Sequence, residues 1–461
     1  MAGCISILGS DILCEAEGSA PNAPNATVRI PLTEATLSQL QRWTADYREA
    51  VRRNDPPALF ALGRALFAWL DEAQWATTWV KGTGPRLLEI AVNEVDSPAA
   101  TALLDLPWEI MAHGLDFLAG DPAQPFVVYR SIGKGRTPIP AQPAHRDLAL
   151  LFMAASPTGQ QELDYEAEEA AILQATEQLP MQLVVEESGC ADFFKERLAQ
   201  DGPFEAIHLS CHGDLLRDGG PALALETPEG DLALTRPGDF ARLLGEKKAT
   251  LVFLSACRTA ESRQDATATI TEPFVRALIR AGVAIALGWD GSVYDGDAIH
   301  FARSFYSELA HHATVPFAAA MARAALLRTH REDPRQGQHW HLARVYAGPT
   351  GAGACCDPAR PKRRLRKDAG FNEFLDEANR RVPVATAQEF VGRRHEAQQI
   401  LRAFRTREKA GVLLFGMGNL GKSSLAARIA NRLPKHQTVV VYERYDALAI
   451  FEHLLRALPG R

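Results

Sequence analysis

LVFLSACRTA, residues 251–260, decides how this chain folds. Together with Ala249 and Thr250 it opens as a near-continuous apolar run, which predicts a strand over 249–257 buried on both faces. The run stops on Cys257, a potential nucleophile. Upstream, FEAIHLSC (204–211) reads in the same way and stops on His212-Gly213. In an open parallel sheet, ligands bind outside the carboxyl ends of the strands. Neighbouring strands would therefore bring His212 and Cys257 together, although 45 positions separate them.

The surroundings fit a parallel sheet. Strands are predicted at 148–155, 181–187, 283–289 and 343–348, with helices at 163–178, 191–199, 237–245, 272–281, 297–311 and 315–329. Apolar strands alternating with amphipathic helices imply α/β architecture with helices on both faces. A hairpin is expected over 221–234, turning at Glu229-Gly230. Ahead of this unit come a turn and then a short strand, ATVRIPL (26–32), helical periodicity over 34–53 and 57–79, a strand at 86–92 and an apolar run at 125–133. Trp69, Trp75 and Trp79 fall on these helical faces as packing residues. The Pro-rich 136–146 reads as a connection, and the Gly/Pro-rich, then basic 351–370 as a linker.

Composition bounds the function. The chain has 461 residues, 46% hydrophobic and 23% charged, enough for several domains with sizeable cores. Fifty Lys and Arg against 56 Asp and Glu leave a net charge of −6, unsuited to coating nucleic acid. The seven cysteines are too few and too scattered for a disulfide framework. The first 18 residues lack the pattern of a secretory signal, and no stretch of eighteen apolar residues occurs. A cytoplasmic protein, free of membrane, is expected.

The chemistry of the pair is that of a cysteine peptidase. A thiolate attacks a carbonyl, and an imidazole accepts its proton and then protonates the leaving amine. The amides of Gly213 and Cys257 are candidate oxyanion donors. Taken singly, a buried thiol and a loop histidine explain the two residues more simply; twice at a strand end, they favour a dyad. Ala256-Cys257-Arg258 also keeps the core of the caspase pattern, with the histidine at comparable distance upstream.

Residues 147–350 resemble a CHAT domain, the prokaryote-rich branch of the caspase-like, separase-related (clan CD) cysteine peptidases. The stretches that carry the likeness are IHLSCHGD (207–214), LVFLSACRTA, AGVAIALGW (281–289), DAIHFARSFYSELA (297–310) and WHLARVYAG (340–348). LPWEI, within 84–133, resembles the region that precedes such domains. The likeness gives His212 and Cys257 the catalytic positions. It departs at Arg258, where glutamate is common, and at WDGSVYD (289–295), which is longer than usual. Within that segment Asp290 and Asp295 are candidates to line the substrate pocket.

GMGNLGKS, residues 416–423, matches the P-loop pattern between a predicted strand (411–415) and helix (422–433). Gly416, Gly418 and Gly421 would let the backbone cradle phosphates, Lys422 would reach them, and Ser423, followed by Ser424, would meet Mg²⁺ with ATP or ADP. With FVGRRHEAQQI (390–400) and a strand at 438–442, this resembles the start of the STAND NTPases, NB-ARC-like switches that oligomerise on stimulation. About 40 residues follow the loop, so the domain looks cut.

The expected architecture is therefore a mixed α/β region (1–146), a caspase-like peptidase with a mostly parallel sheet (147–350), a linker (351–388) and the beginning of a P-loop NTPase (389–461). The function this implies is a cysteine endopeptidase that cleaves a partner protein, latent until the NTPase region self-associates, in a prokaryotic immune or cell-death (anti-phage) system. The alternative is an inactive caspase-like scaffold coupled to a nucleotide-binding switch. Other features read as structural: His208 and Cys211 fall on opposite strand faces, Cys355-Cys356 reads as an exposed thiol pair, and the basic run 362–367 as a solvated linker.

Overall fold

The computed structural model describes residues 2–16, 26–93, 97–133, 143–160, 163–245, 248–258, 271–363, 373–376, 380–386, 390, 392–406, 411–433, 436–441 and 445–457. The amino-terminal region forms β1 (Ala2–Leu8), β2 (Asp11–Ala16) and β3 (Ala26–Pro31), then α1 (Glu34–Arg53), α2 (Pro56–Leu70) and α3 (Trp75–Val80). β4 (Arg86–Val92), α4 (Pro98–Asp105), the short β5 (Ala112–His113) and β6 (Asp116–Phe117), and β7 (Phe126–Ile132) complete it. The sequence missed the β1–β2 hairpin, although its buried Ile5, Ile12 and Cys14 alternate with less buried neighbours about Gly9 at φ +62°. The helix expected over 57–79 breaks at Asp71, whose carboxylate accepts the Thr77 amide at 2.6 Å and thereby restarts the helix.

The central unit contains β8 (Leu148–Ala154), α5 (Tyr165–Thr176), β9 (Met181–Glu186), α6 (Ala191–Asp201), β10 (Ala206–Leu215), β11 (Pro221–Glu226), β12 (Leu232–Thr235), α7 (Pro237–Leu243) and β13 (Leu251–Arg258). It continues with α8 (Thr271–Arg280), β14 (Ile285–Trp289), α9 (Asp295–Ala310), α10 (Val315–Glu332) and β15 (Ala343–Ala347). One 13-stranded sheet runs β12-β11-β10-β13-β14-β15-β7-β4-β1-β2-β3, with β8 on β10 and β9 on β8. The β9-β8-β10-β13-β14 and β15-β7-β4-β1 runs are parallel; β14 meets β15 antiparallel. The mostly parallel α/β fold expected from the sequence is thus present, and the amino-terminal strands belong to the same sheet.

Strand alternation divides the core into two. Leu148, Leu150 and Phe152 of β8 enter one buried cluster, with residues of α9 and α10, while Ala149, Leu151 and Met153 enter another, with residues of α8. β13 divides likewise, Leu251 and Phe253 to the first, Val252, Leu254 and Ala256 to the second. The Cys355-Cys356 pair, expected to be exposed, is buried in the first cluster. The chain after β15 turns back onto α9 and α10, where Val315 donates to Gly353 O at 3.1 Å and Cys356 Sγ donates to Leu309 O at 3.3 Å.

Beyond the linker lie a hairpin of β16 (Glu373–Asp376) and β17 (Arg381–Val384), then α11 (Arg394–Thr406), α12 (Lys422–Asn431) and α13 (Ala447–Ala457). The strands expected at 411–415 and 438–442 are not found: 411–415 and 438–441 carry no strand, and residue 442 lies outside the described residues. A strand exists only through its pairing partners, and neither run meets one among the described residues.

Candidate active site

β10 does not end at Cys211, as its sequence suggested, but continues to Leu215. The reason is its neighbours. β8 pairs with β10 over Ala206–Ser210, and β11 takes over the same flank from His212 to Leu215. On the other flank β13 runs parallel from Ala206 to Gly213, with Ser210 opposite Ser255, His212 opposite Cys257 and Gly213 opposite Arg258. The candidate dyad therefore occupies one rung of two adjacent parallel strands, and neighbouring strands lie about 4.8 Å apart. Gly213 lies inside β10, between Leu223 of β11 and Arg258 of β13, rather than in a loop.

Ile207, Leu209 and Cys211 belong to the second core, which leaves His208, Ser210 and His212 to the face covered by α5 and α9. By the same alternation the Ser255 and Cys257 positions share that face. His212 is 3% exposed. The side chains of Cys257 and Arg258, and residues 259–270 after them, lie outside the described residues.

One step below the dyad rung on this face is a cavity lined by Asp164, Tyr165, Glu168, Ser210, Ser255 and Asp295, among others. Ser255 Oγ accepts from Trp289 Nε1 at 3.2 Å, which ties β13 to the end of β14. Asp164 caps α5 by accepting the Ala167 amide at 3.3 Å, and its own amide donates to Asp295 at 3.2 Å. Burial pushes the Asp295 carboxyl up, the Asp164 amide pulls it down, Glu168 and Asp164 push it up again, and His212 pulls it down. Asp295 thus stands within electrostatic reach of His212, on the cavity wall.

Asp290 goes elsewhere. It forms a buried ion pair with Arg344, its amide donates to Leu342 O at 2.9 Å, and it is no part of this cavity. A loop acid beside a strand end is drawn to whichever cation the next strand offers, here on β15. Sequence reasoning missed Ser210 and Ser255, although both stand two residues before the dyad positions and so on the same face. It also missed Asp164, Tyr165 and Glu168, which come from the start of α5. His208 lies deeper on the face, its Nε2 3.3 Å from Glu168 Oε1 and its ring 4.5 Å from that of Phe253.

The glycine loop forms without an entering strand. Gly416 (φ +146°), Asn419 (+59°) and Gly421 (+74°) turn the backbone, and α12 begins at Lys422. Lys422 Nζ donates to Gly416 O at 3.0 Å and Met417 O at 2.6 Å. Ser424 Oγ accepts the Ala385 amide at 2.9 Å. Gly418 and Ser423 stand in the loop and the first turn of α12.

No helix among the described residues is long and apolar enough to cross a membrane. A family model described as "CHAT domain" matches residues 61–354, more than half of the chain. Among solved structures, the chain is similar to the Arg-specific cysteine proteinase gingipain R, with 10% identity, 70% of this chain and 76% of that one covered, and a TM-score of 0.39. It is also similar to separase in the Saccharomyces cerevisiae separase–securin complex (12% identity, 61% and 17% covered, TM-score 0.33) and to caspase-1 from Spodoptera frugiperda (11%, 52% and 97%, 0.29). No curated protein matches the chain. These structural likenesses concern the fold alone, and it is the family match over residues 61–354 that identifies the molecule: the chain belongs to the CHAT-domain family.

Proposed function

We propose that this chain is an endopeptidase that cleaves a partner protein with a His212–Cys257 dyad. The observation that carries the reading is the single rung shared by the two residues on adjacent parallel strands, beside a cavity on the same face. His212 takes the thiol proton. The Cys257 sulfur then forms a bond to the peptide carbonyl carbon, and the carbonyl electron pair moves to oxygen, where the Gly213 and Cys257 amides are the donors. As the C–N bond breaks, His212 passes its proton to the leaving amine. Water, deprotonated by His212, adds to the thioester carbon, the C–S bond breaks, and the thiolate–imidazolium pair is regenerated.

Asp295, beside the cavity, lines the pocket for the residue before the scissile bond. The same reading makes 416–424 a nucleotide site. The loop amides and Lys422, whose ammonium already lies against two loop carbonyls, suit the phosphates of ATP or ADP. Ser423 is the residue to meet Mg²⁺, and the ion would neutralise phosphate charge there. Self-association through this region, release from latency and a role in anti-phage immunity are the consequences of the STAND-like resemblance. The sparse, scattered cysteines of the sequence suit a cytoplasmic setting.

The test needs no known substrate. Alkylation of each cysteine is followed against pH by mass spectrometry, in the wild type and in His212→Ala. A dyad makes Cys257 react well below its ordinary pKa of about 8.5, and His212→Ala removes that advantage. A Cys257 that titrates as an ordinary thiol in both proteins, before and after release from latency, rejects the dyad. It would favour the inactive scaffold, for which Arg258 after the cysteine is the sequence argument.

A further inference from the structure

Three arginines of the carboxy-terminal segment are buried in the peptidase. Arg394 opens α11, while Arg428 and Arg432 stand at the end of α12; all three are nearly inaccessible. Opposite them are three buried carboxylates at the edge of the sheet, Glu186 at the end of β9, Glu187 just after it and Glu226 at the end of β11. Three positive charges thus meet three negative ones out of water.

The seat of Arg394 is built for a guanidinium. One nitrogen donates to the carbonyl of Ala154 at the end of β8, and another to the Glu226 carboxylate. The planar group lies over the Tyr165 ring, 4.8 Å from its centroid. The floor is Gly189, at φ +67°, where a Cβ would stand 2.6 Å from Arg394 Nη2 and 2.8 Å from Ala154 O. Glu226 is itself held by the Ser156 amide at 2.9 Å, so the pocket is fixed from the sheet side. Gln398, one turn along α11, donates to Glu226 and to Ser156 O, both at 3.1 Å.

The second contact is on α12. Arg432 reaches Pro228 O at 3.1 Å, Ser188 O at 3.3 Å and Glu226 Oε2 at 3.4 Å. Arg428 pairs with Glu187, lies 3.7 Å from Glu186 and covers the Phe193 ring at 5.4 Å. α12 is the helix that Lys422 begins, directly after the glycine loop. Tyr165, on which Arg394 rests, is also a wall of the cavity beside the dyad rung. One continuous set of contacts therefore joins the glycine loop to the catalytic face.

We infer that the strand-end edge of the peptidase carries a guanidinium-binding surface, occupied in cis by Arg394 with Arg428 and Arg432, and that this occupation holds the P-loop segment against the cavity wall and keeps the peptidase latent. The inference rests on the dyad reading above. Its partner is the chain's own α11–α12 segment. Guanidinium is suited to the task, because its planar fork can hold a carboxylate and a carbonyl at once while stacking on an aromatic ring. Because both sides of the contact are buried and charged, removing the arginines leaves carboxylates that water must reach, which drives the segment off.

The experiment compares the full chain with Arg394→Ala/Arg432→Ala. Hydrogen exchange is measured on α11–α12 and on β8, β10 and β13, and Cys257 alkylation is measured near neutral pH. The expected result is exchange of α11–α12 faster by at least about tenfold, unchanged protection of the three strands, and Cys257 alkylation faster by a similar factor. Unchanged protection of α11–α12 overturns the clamp. Released helices with unchanged Cys257 alkylation overturn the latch. Adding His212→Ala to both proteins separates the two readings: a gain on release, with His212→Ala slowing alkylation in neither protein, keeps the latch and rejects the dyad.

Discussion

Two apolar runs in this chain meet opposite fates. Residues 251–254 lie in β13 and are buried between β10 and β14, with Leu254 in one core and Phe253 in the other. GVLLF at 411–415 has a similar composition but no strand partner among the described residues, and Leu413 and Phe415 are 83% and 87% exposed. Both runs lead into chemistry-bearing residues, Cys257 in one case and the glycine loop in the other. The difference teaches that a turn or a helix start is a local property, whereas a strand is collective. The loop and α12 form from glycine, asparagine and helix-forming residues alone. The rung shared by His212 and Cys257 exists only because strands pair around it in a 13-stranded sheet.

The largest effect that can break this comparison is chemical. Cys257→Ala is expected to abolish cleavage of a partner protein, and His212→Ala to slow acylation by about 10²–10⁴, with circular dichroism unchanged in both. Comparable cleavage by Cys257→Ala would move the chemistry away from the rung. Next comes packing: Leu254→Ala should cost about 2–5 kcal/mol of unfolding free energy, and Leu413→Ala less than about 0.5 kcal/mol. Equal costs by denaturant titration would mean that 411–415 is buried in solution and that the contrast is false.

Acid supplies a smaller and graded effect. His341 is buried and accepts the Tyr47 hydroxyl at Nδ1, 2.8 Å away. Burial above all, then the charge of His339, lowers its pKa from 6.5 to about 3. The unfolded chain takes up this proton near 6.5 while the folded chain resists it down to about 3. Its contribution is therefore complete above the upper value and is lost as pH falls through the window, at roughly 1.4 kcal/mol per pH unit. Unfolding free energies at about pH 7 and about pH 5 should differ by less in His341→Gln than in the wild type, by about 2 kcal/mol. A difference that survives the substitution assigns the acid sensitivity to other groups. The smallest effect belongs to the second region: Lys422→Ala should change unfolding free energy by less than about 0.5 kcal/mol yet lose nucleotide binding by equilibrium dialysis. Retained binding would deny the loop its phosphate role.

Much of the sheet was legible because strands buried on both faces read as apolar runs, as at 148–155 and 249–257. The last rungs of β10 were not, since His212-Gly213-Asp214 reads as a turn and is strand only because β11 folds back beside it. The meeting of the His212 and Cys257 positions was legible as two strand ends, whereas the cavity beside them was not, because Asp164, Tyr165 and Glu168 arrive from a helix whose docking no local pattern encodes. Asp290 and Asp295 look alike in WDGSVYD, and only the position of Arg344 on β15 separates a core ion pair from a cavity wall. Nothing in the sequence singled out the three clamping arginines, because their carboxylate partners are more than 160 residues away.

The pairing of β15 with β7 at Tyr346 and Ala347 has a practical consequence. A fragment begun at residue 147 would keep every strand of the dyad and lose β7, and β15 would become the rim of the sheet. Its unmatched amides and carbonyls would then be open to recruit another polypeptide. Such a fragment is a seed for assembly, and its measured activity would report on clusters instead of on the single molecule. Screening is better done on the chain from residue 1, where that rim is already closed.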